Sequence, residues 1–337
     1  MGVFGYLLKR ASLLDAERFN KHIDTIKKNT GKSKLYIKMD FLKNFLIYGC
    51  GYTDYFRGDY INLSRKEKKT FVTAKSFYKI LKYFNNEDYK KYLSDKVLFN
   101  RFFKDFIGRD FIDLREATLD DFLKFISDKS VIFAKVIDGF GGHGISRIDL
   151  AEYEDKEGLY NWLIENKQYL VEEAIEQLEE IKKINPNSVS SFRVVTLYKN
   201  GKAYVIGNAL RVNHDEADVI GCTNDLYFSF NKDGKIDSNV IDDYANVYEK
   251  HPLTHVSFSD ICVPDVKEAF EMCKRAAIML PEVRYIGWDV AFSKKGPVFL
   301  EGNEYPGYGI IQFYKLKNSR TGHYKTIKEV CPDEKIL

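Results

Sequence analysis

Apolar positions in the first 95 or so residues recur at helical rather than alternating spacing. Leu7, Leu8, Leu13 and Leu14 sit among charges. An irregular stretch rich in Tyr and Phe follows, with the turn cluster GCGYTDYFRGDY, and Ser76 to Tyr83 restores a helical period. From Asp95 the texture changes. VLFNRFFKDF reads as an amphipathic helix opened by Asp95 and Lys96, and ATLDDFLKFI as a second, with Thr118 as N-cap ahead of Asp120 and Asp121. Val131 to Ala134 reads as a buried strand ending at Lys135. A glycine loop, Asp138 to Gly144, and a second strand, ISRIDL, come next. Strand, glycine loop and strand differ from the strand, loop and helix of Walker and Rossmann sites.

Beyond residue 168 hairpin signals dominate. SFRVVTLYK and KAYVIGNALRV flank Asn200-Gly201, and a second pair surrounds Lys232-Asp233-Gly234. Pro264 starts an amphipathic helix running to about Leu280, with Val266, Ala269, Phe270, Cys273, Ala276, Ala277 and Leu280 on one face. GWDVAF and PVFLEGN then flank Lys294-Lys295-Gly296. The sum is an α+β protein with antiparallel sheets.

At 337 residues, 45% hydrophobic and 15% aromatic, the chain has material for two or three folded subdomains. A net charge of +3 gives no case for nucleic acid, and the basic run Arg65 to Lys69 contains Glu67 and reads as a solvated face. The five cysteines form no CxxC pair, which argues against a disulfide framework or a zinc site and fits the reduced thiols of a cytoplasm. MGVFGYLLKR lacks the apolar core of a signal peptide, and no stretch reaches the roughly 20 apolar residues of a membrane span, so no membrane insertion is expected.

The last hairpin carries the candidate chemistry. A three-residue Lys294-Lys295-Gly296 loop would set Ser293 opposite Pro297, Ala291 opposite Phe299 and Asp289 opposite Glu301, with Asn303 on the same face. Opposed carboxylates destabilise a hairpin unless a cation lies between them. Two carboxylates and an amide oxygen are hard ligands suited to magnesium, which takes its remaining ligands from water and phosphate.

At these residues the chain resembles the ATP-grasp superfamily, and more closely its sugar-transfer-associated branch. The similar segments are DKVLFNRFF, VIFAKVIDGFGGHGI, YLVEEAIEQ, NPNSVSSFRVVTL, HPLTHVSF and IGWDVAFSKKGPVFLEGNEYPG, in order over about residues 90 to 312. The resemblance implies an ATP-grasp fold, with two α+β subdomains gripping ATP behind a mainly helical N-terminal region. Boundaries are expected at 1–94, 95–168 (lid subdomain) and 169–337 (metal-bearing subdomain), the first serving as an acceptor or partner domain. Lys96 and Lys135 match lysines that contact the phosphates and the adenine edge. Gly139, Gly141, Gly142, His143 and Gly144 match the lid over the phosphates, where missing side chains admit backbone amides to the anion. Glu172, Glu173 and the Ala174–Ile175 backbone match the adenine hinge, and Glu179 or Glu180 the ribose contact. Asp289, Glu301 and Asn303 match the ligands of one or two Mg2+ ions, with Mn2+ a substitute. Arg193 matches a basic residue near the transferred phosphate or the substrate. Arg211, on the partner strand, reads as a second inward-facing cation.

Two departures concern the acceptor. Ile286-Gly287-Trp288 stands where many members carry an arginine, and the stretch after Arg211 lacks a glycine pair. His251 and His255 flank a Pro-containing loop whose ordinary reading is structural. No G-x-S-x-G motif supports hydrolase chemistry. The resemblance implies an amide-forming ligase joining a small-molecule carboxylate to an amine through an acyl phosphate, on a sugar acid or amino acid of surface polysaccharide, with a glycosyltransferase as possible partner. The alternatives are a kinase acting on a hydroxyl and a non-catalytic nucleotide-binding module.

Overall fold

The structure is a computed structural model that describes residues 15–137, 144–214 and 225–336. The N-terminal region is helical, as its spacing predicts. Helix α1 (Ala16–Thr30) is capped by Asp15, ends on left-handed Gly31, and turns back into α2 (Lys34–Tyr48), capped by Ser33. A short α3 (Tyr52–Arg57) and α4 (Ala74–Phe84) complete the layer. Tyr55, Phe56 and Tyr60 bury against Phe313, Leu316 and Tyr227, and Phe77 and Phe84 against Tyr285. The helical region is therefore packed onto the body of the protein.

Helix α5 (Lys96–Phe102) begins where Asp95 accepts hydrogen bonds from the amides of Val97 and Leu98. Its Phe99, with the following Phe103, enters the core beside Trp288 and Phe299. A four-stranded antiparallel sheet follows, in the order β1 (Phe111–Asp113), β4 (Leu170–Glu173), β2 (Val131–Lys135), β3 (Ile145–Asp149). Helices α6 (Leu119–Ile126) and α7 (Lys156–Glu165) cover one face, α6 carrying the expected Thr118 cap, with Asp121 returning to the Thr118 amide. Strand β2 alternates rather than being buried throughout. Ile132 and Ala134 enter the core, while Val131, Phe133 and Lys135 face a cavity.

The second sheet has the order β7 (Asp225–Phe228), β6 (Lys202–Asn213), β5 (Ser191–Lys199), β8 (Tyr285–Ser293), β9 (Gly296–Asn303). Asn200 and Gly201, both at positive φ, form the two-residue turn between β5 and β6. The expected hairpin at Lys232-Asp233-Gly234 shrinks to a turn closed by one bridge, Phe230 to Ile236. Helix α8 (Val266–Met279) lies across this sheet, burying Val266, Ala269, Cys273, Ala276 and Ala277 as its period requires. Glu173 to Gln177 is the crossover between sheets: Gln177 bridges to Ser293, and the Lys294 amide donates to the Glu176 carbonyl (3.0 Å).

Candidate nucleotide and metal site

The hairpin of β8 and β9 reaches the expected pairing by a different route. The loop is the two residues Lys294 and Lys295, so Ser293 faces Gly296, Phe292 faces Pro297 and Ala291 faces Val298. That register is one residue off the expected one, and continued unchanged it would have sent Glu301 to the wrong partner. A bulge at Leu300 restores it, and Asp289 stands opposite Glu301. Arg109 buttresses the bulge, donating to the carbonyls of Phe299 (2.6 Å) and Leu300 (3.4 Å). Trp288 and Val290, on the other face of β8, are fully buried, Trp288 stacked on Phe299.

Asp289, Glu301 and Asn303 converge. The Asn303 amide nitrogen donates to Asp289 Oδ2 (3.2 Å) and Glu301 Oε1 (3.3 Å). Arg193, opposite Asp289 across the β5–β8 ladder, donates to both its oxygens (Nε to Oδ1 2.6 Å, Nη2 to Oδ2 2.9 Å) and to the Pro306 carbonyl (2.8 Å). Burial opposes the charge on Asp289, but Arg193 outweighs it and holds that carboxyl below its ordinary value. Burial, and then the charge of Asp289, push Glu301 up. The pair thus carries negative charge that Arg193 satisfies only on one side. Each carboxylate oxygen keeps a further lone pair, and the donor set is wholly oxygen once the Asn303 amide presents its Oδ1. Magnesium fits these residues. No group of three or more His, Cys, Asp or Glu stands together among the described residues, as a softer, fully protein-ligated metal would need.

A cavity of about 550 Å³ opens above this floor. It is lined by Lys96, Lys135, Glu172, Glu173, Ala174, Ile175, Arg193, Arg211, Asp289, Glu301 and Asn303, so most of the residues singled out in the sequence share one space. Glu180 does not line it, whereas Gln177 and Lys182 of the same segment do. Gly144, at φ 74°, accepts from the Val136 amide and closes the β2–β3 hairpin. Gly139, Gly141, Gly142 and His143 lie outside the described residues. His251 donates from Nε2 to the Asn213 carbonyl (2.7 Å) and accepts from the Thr254 amide at Nδ1, a structural role. Eight cationic side chains and five carboxylates line the cavity, a balance suited to a polyanion.

Glu172 has a part the sequence does not disclose. Its side chain is buried, paired with Lys135 and with Arg109 (2.7 Å), and accepts from Asn100 (2.6 Å). Although burial works against the charge, Arg109 and Lys135 hold its pKa down to about 2. The carboxylate therefore fixes the lysine at the cavity wall. Arg109 and Asn100 escaped the sequence reading. The available signal was Asn100 itself, a polar residue on the apolar face of α5, which needs a buried partner. Arg211 is paired with Asp225 through Nη2 and, at 3.2 Å, through Nε.

The loop after Asn303 joins this floor to the helical region. Tyr308 donates to Asp54 (2.9 Å) at the start of α3. A Cβ on Gly307, at φ 72°, would lie 3.1 Å from Arg193 Nη1, and one on Gly309 would lie 2.9 Å from Arg57 Nη1. Both glycines leave room for an arginine.

None of the proteins of curated function compared with the chain matches it. Among solved structures, the D-alanyl-alanine synthetase A of Vibrio cholerae O1 biovar eltor str. N16961 is 14% identical, covers 72% of this chain and 65% of its own, and gives a TM-score of 0.42. The ATP-grasp ligase PsnB with a phosphomimetic variant of its minimal precursor, Mg and ADP gives 13%, 73%, 61% and 0.42. The D-cycloserine synthetase DcsG gives 10%, 71%, 71% and 0.42. The chain thus spans just under two thirds of the length of the first two. The model of one family, described as sugar-transfer associated ATP-grasp, matches residues 81–322, most of the chain. With two antiparallel sheets around an acidic hairpin and a cationic cavity, the chain belongs to the sugar-transfer associated ATP-grasp family.

Proposed function

We propose that the protein is an ATP-dependent carboxylate–amine ligase that forms an amide through an acyl phosphate, on a sugar acid or an amino acid used in surface-polysaccharide tailoring. The observation that carries the reading is the union, in one cavity, of Lys96, Lys135, Arg193 and Arg211 with the Asp289, Glu301 and Asn303 oxygen set. ATP is the substrate whose triphosphate matches that charge. Asp289, Glu301 and Asn303 would hold magnesium, which when bound neutralises phosphate oxygens and polarises the phosphorus.

In this reading Lys96 and Lys135 orient the phosphates, and the Glu173–Ile175 backbone takes the base. An oxygen of the acceptor carboxylate attacks the γ-phosphorus as its bond to the ADP oxygen breaks, giving acyl phosphate and ADP. The amine then attacks the acyl carbon, loses a proton and expels phosphate. Arg193 or Arg211 steadies the oxyanion of that step. Arg193 does so from a fixed position, because Asp289 and the Pro306 carbonyl hold its guanidinium.

The test is a screen of carboxylate and amine pairs for ATP-dependent phosphate release. The ligase reading expects free phosphate only when both an acid and an amine are present. Transfer of the γ-phosphoryl group to a hydroxyl acceptor, with no phosphate set free, would replace it with a kinase.

A further inference from the structure

Helix α2 is apolar around most of its circumference, yet only Ile37 and Asn44 of its fifteen residues are buried. A helix with that composition is ordinarily covered on more than one side. At 3.6 residues per turn, Leu35, Met39, Leu42 and Leu46 fall within an arc of about 60° opposite the buried face. They are 72, 59, 47 and 70% exposed, so the outermost ridge of the helix is four large apolar side chains in water. Tyr36 and Ile47, also exposed, widen it on one side.

The charges that border this ridge directly are basic, and the exposed acid nearest the start of α2, Asp24, is paired with Lys34. Lys38 and Lys43 border its two sides, and both are exposed. Lys27, Lys28 and Lys32 lie at the α1–α2 turn, Lys32 over the Tyr36 ring at 4.8 Å. Asp40, the one acid of α2, faces inward, accepting from Tyr55 (2.7 Å) and Asn44 (3.0 Å). A scatter of exposed leucines needs no explanation, but a continuous ridge bordered by lysines does.

We propose that α2 docks this protein on an anionic lipid bilayer, lying in the interface with its apolar ridge in the acyl boundary and its lysines at the headgroups. The shape and the charge select the occupant. The ridge lies opposite the face that packs on the protein, so it enters a soft surface without needing a groove. A second copy packed on it would oppose lysine to lysine across the seam. No helix of the described residues is long and apolar enough to cross a membrane, and α2 lies on one instead of spanning it. The docking is independent of the catalytic reading.

The experiment is co-sedimentation of the full chain with vesicles of phosphatidylcholine alone and of phosphatidylcholine mixed with phosphatidylglycerol, at low and high salt. Binding to the anionic vesicles only, weakened by salt, is expected. The double variant Leu42→Asp with Leu46→Asp should lower the partition constant by at least about tenfold, and Lys38→Ala by about fivefold. Both variants sit on exposed positions, and unchanged thermal melting confirms that they are folded. Failure of the wild type to pellet with anionic vesicles overturns the proposal, as does undiminished binding by the double variant. If the wild type instead forms a concentration-dependent dimer that the double variant abolishes, with no vesicle binding, the ridge belongs to a second copy.

Discussion

Replacing Glu172 by glutamine removes the one anion between Arg109 and Lys135. The carboxyl is held at about 2 against an ordinary 4.5. At 1.36 kcal/mol per pH unit, that difference corresponds to about 3 kcal/mol at neutral pH. Losing one partner of a buried ion pair gives the same scale, about 3 to 5 kcal/mol, because the surviving cations stay buried. The sign follows from a depressed folded pKa: the contribution is complete above the unfolded value and is lost as pH falls from 4.5 toward 2. It should stand at about 3 kcal/mol at pH 7 and about 2 at pH 3.5. Urea unfolding of the wild type and Glu172→Gln at the two pH values reads both numbers. ATP affinity should also fall, since Lys135 loses its anchor at the cavity wall. A variant as stable as the wild type at pH 7, or a gap that widens toward acid, would refute the electrostatic argument.

Three other outcomes test separate parts of the account. Glu301→Gln removes a carboxylate pushed up by burial and by Asp289. It should raise the melting temperature without magnesium while abolishing the further rise that magnesium and ATP give the wild type, both read by thermal shift. Gly307→Ala puts a methyl 3.1 Å from Arg193 Nη1 at a φ of 72°. It should cost about 1 to 3 kcal/mol in urea unfolding and raise the magnesium concentration needed for half-maximal ATP binding. His22 is stacked on Phe56 at 4.0 Å, and burial, then Arg18 and Arg57, hold its pKa at about 3. The unfolded chain takes that proton below about 6.5, so stability falls as pH drops from there to 3. His22→Phe should flatten this part of the stability profile, leaving the share of His323, which burial also holds at about 3.

The sequence was most legible where local chemistry decides the outcome. Thr118, Asp95 and Asn200-Gly201 each satisfy or bend the backbone within a few residues, and each does so as read. It was least legible where long-range contacts decide. The β8–β9 register depends on a bulge at Leu300 that Arg109 holds from almost 200 residues away, so loop length alone predicts the wrong intermediate pairs. The ion pairs of Glu172 are not legible in its own segment, because their partners lie 63 and 37 positions earlier. The Lys232-Asp233-Gly234 turn formed, but its flanks found only one bridge. The alternation of Arg193 with Phe192 and Val194 reads by itself as a surface position, and its grip on Asp289 comes from pairing with β8, which no local pattern encodes.

The central claim is that the acidic hairpin and the cationic cavity together bind ATP with magnesium. Isothermal titration of ATP into the full chain, with and without magnesium, tests it most directly, beside the double variant Asp289→Asn with Glu301→Gln. The expected result is saturable binding that magnesium strengthens in the wild type and does not strengthen in the variant. No binding by the wild type in the presence of magnesium, or an equal magnesium effect in the variant, would contradict the account.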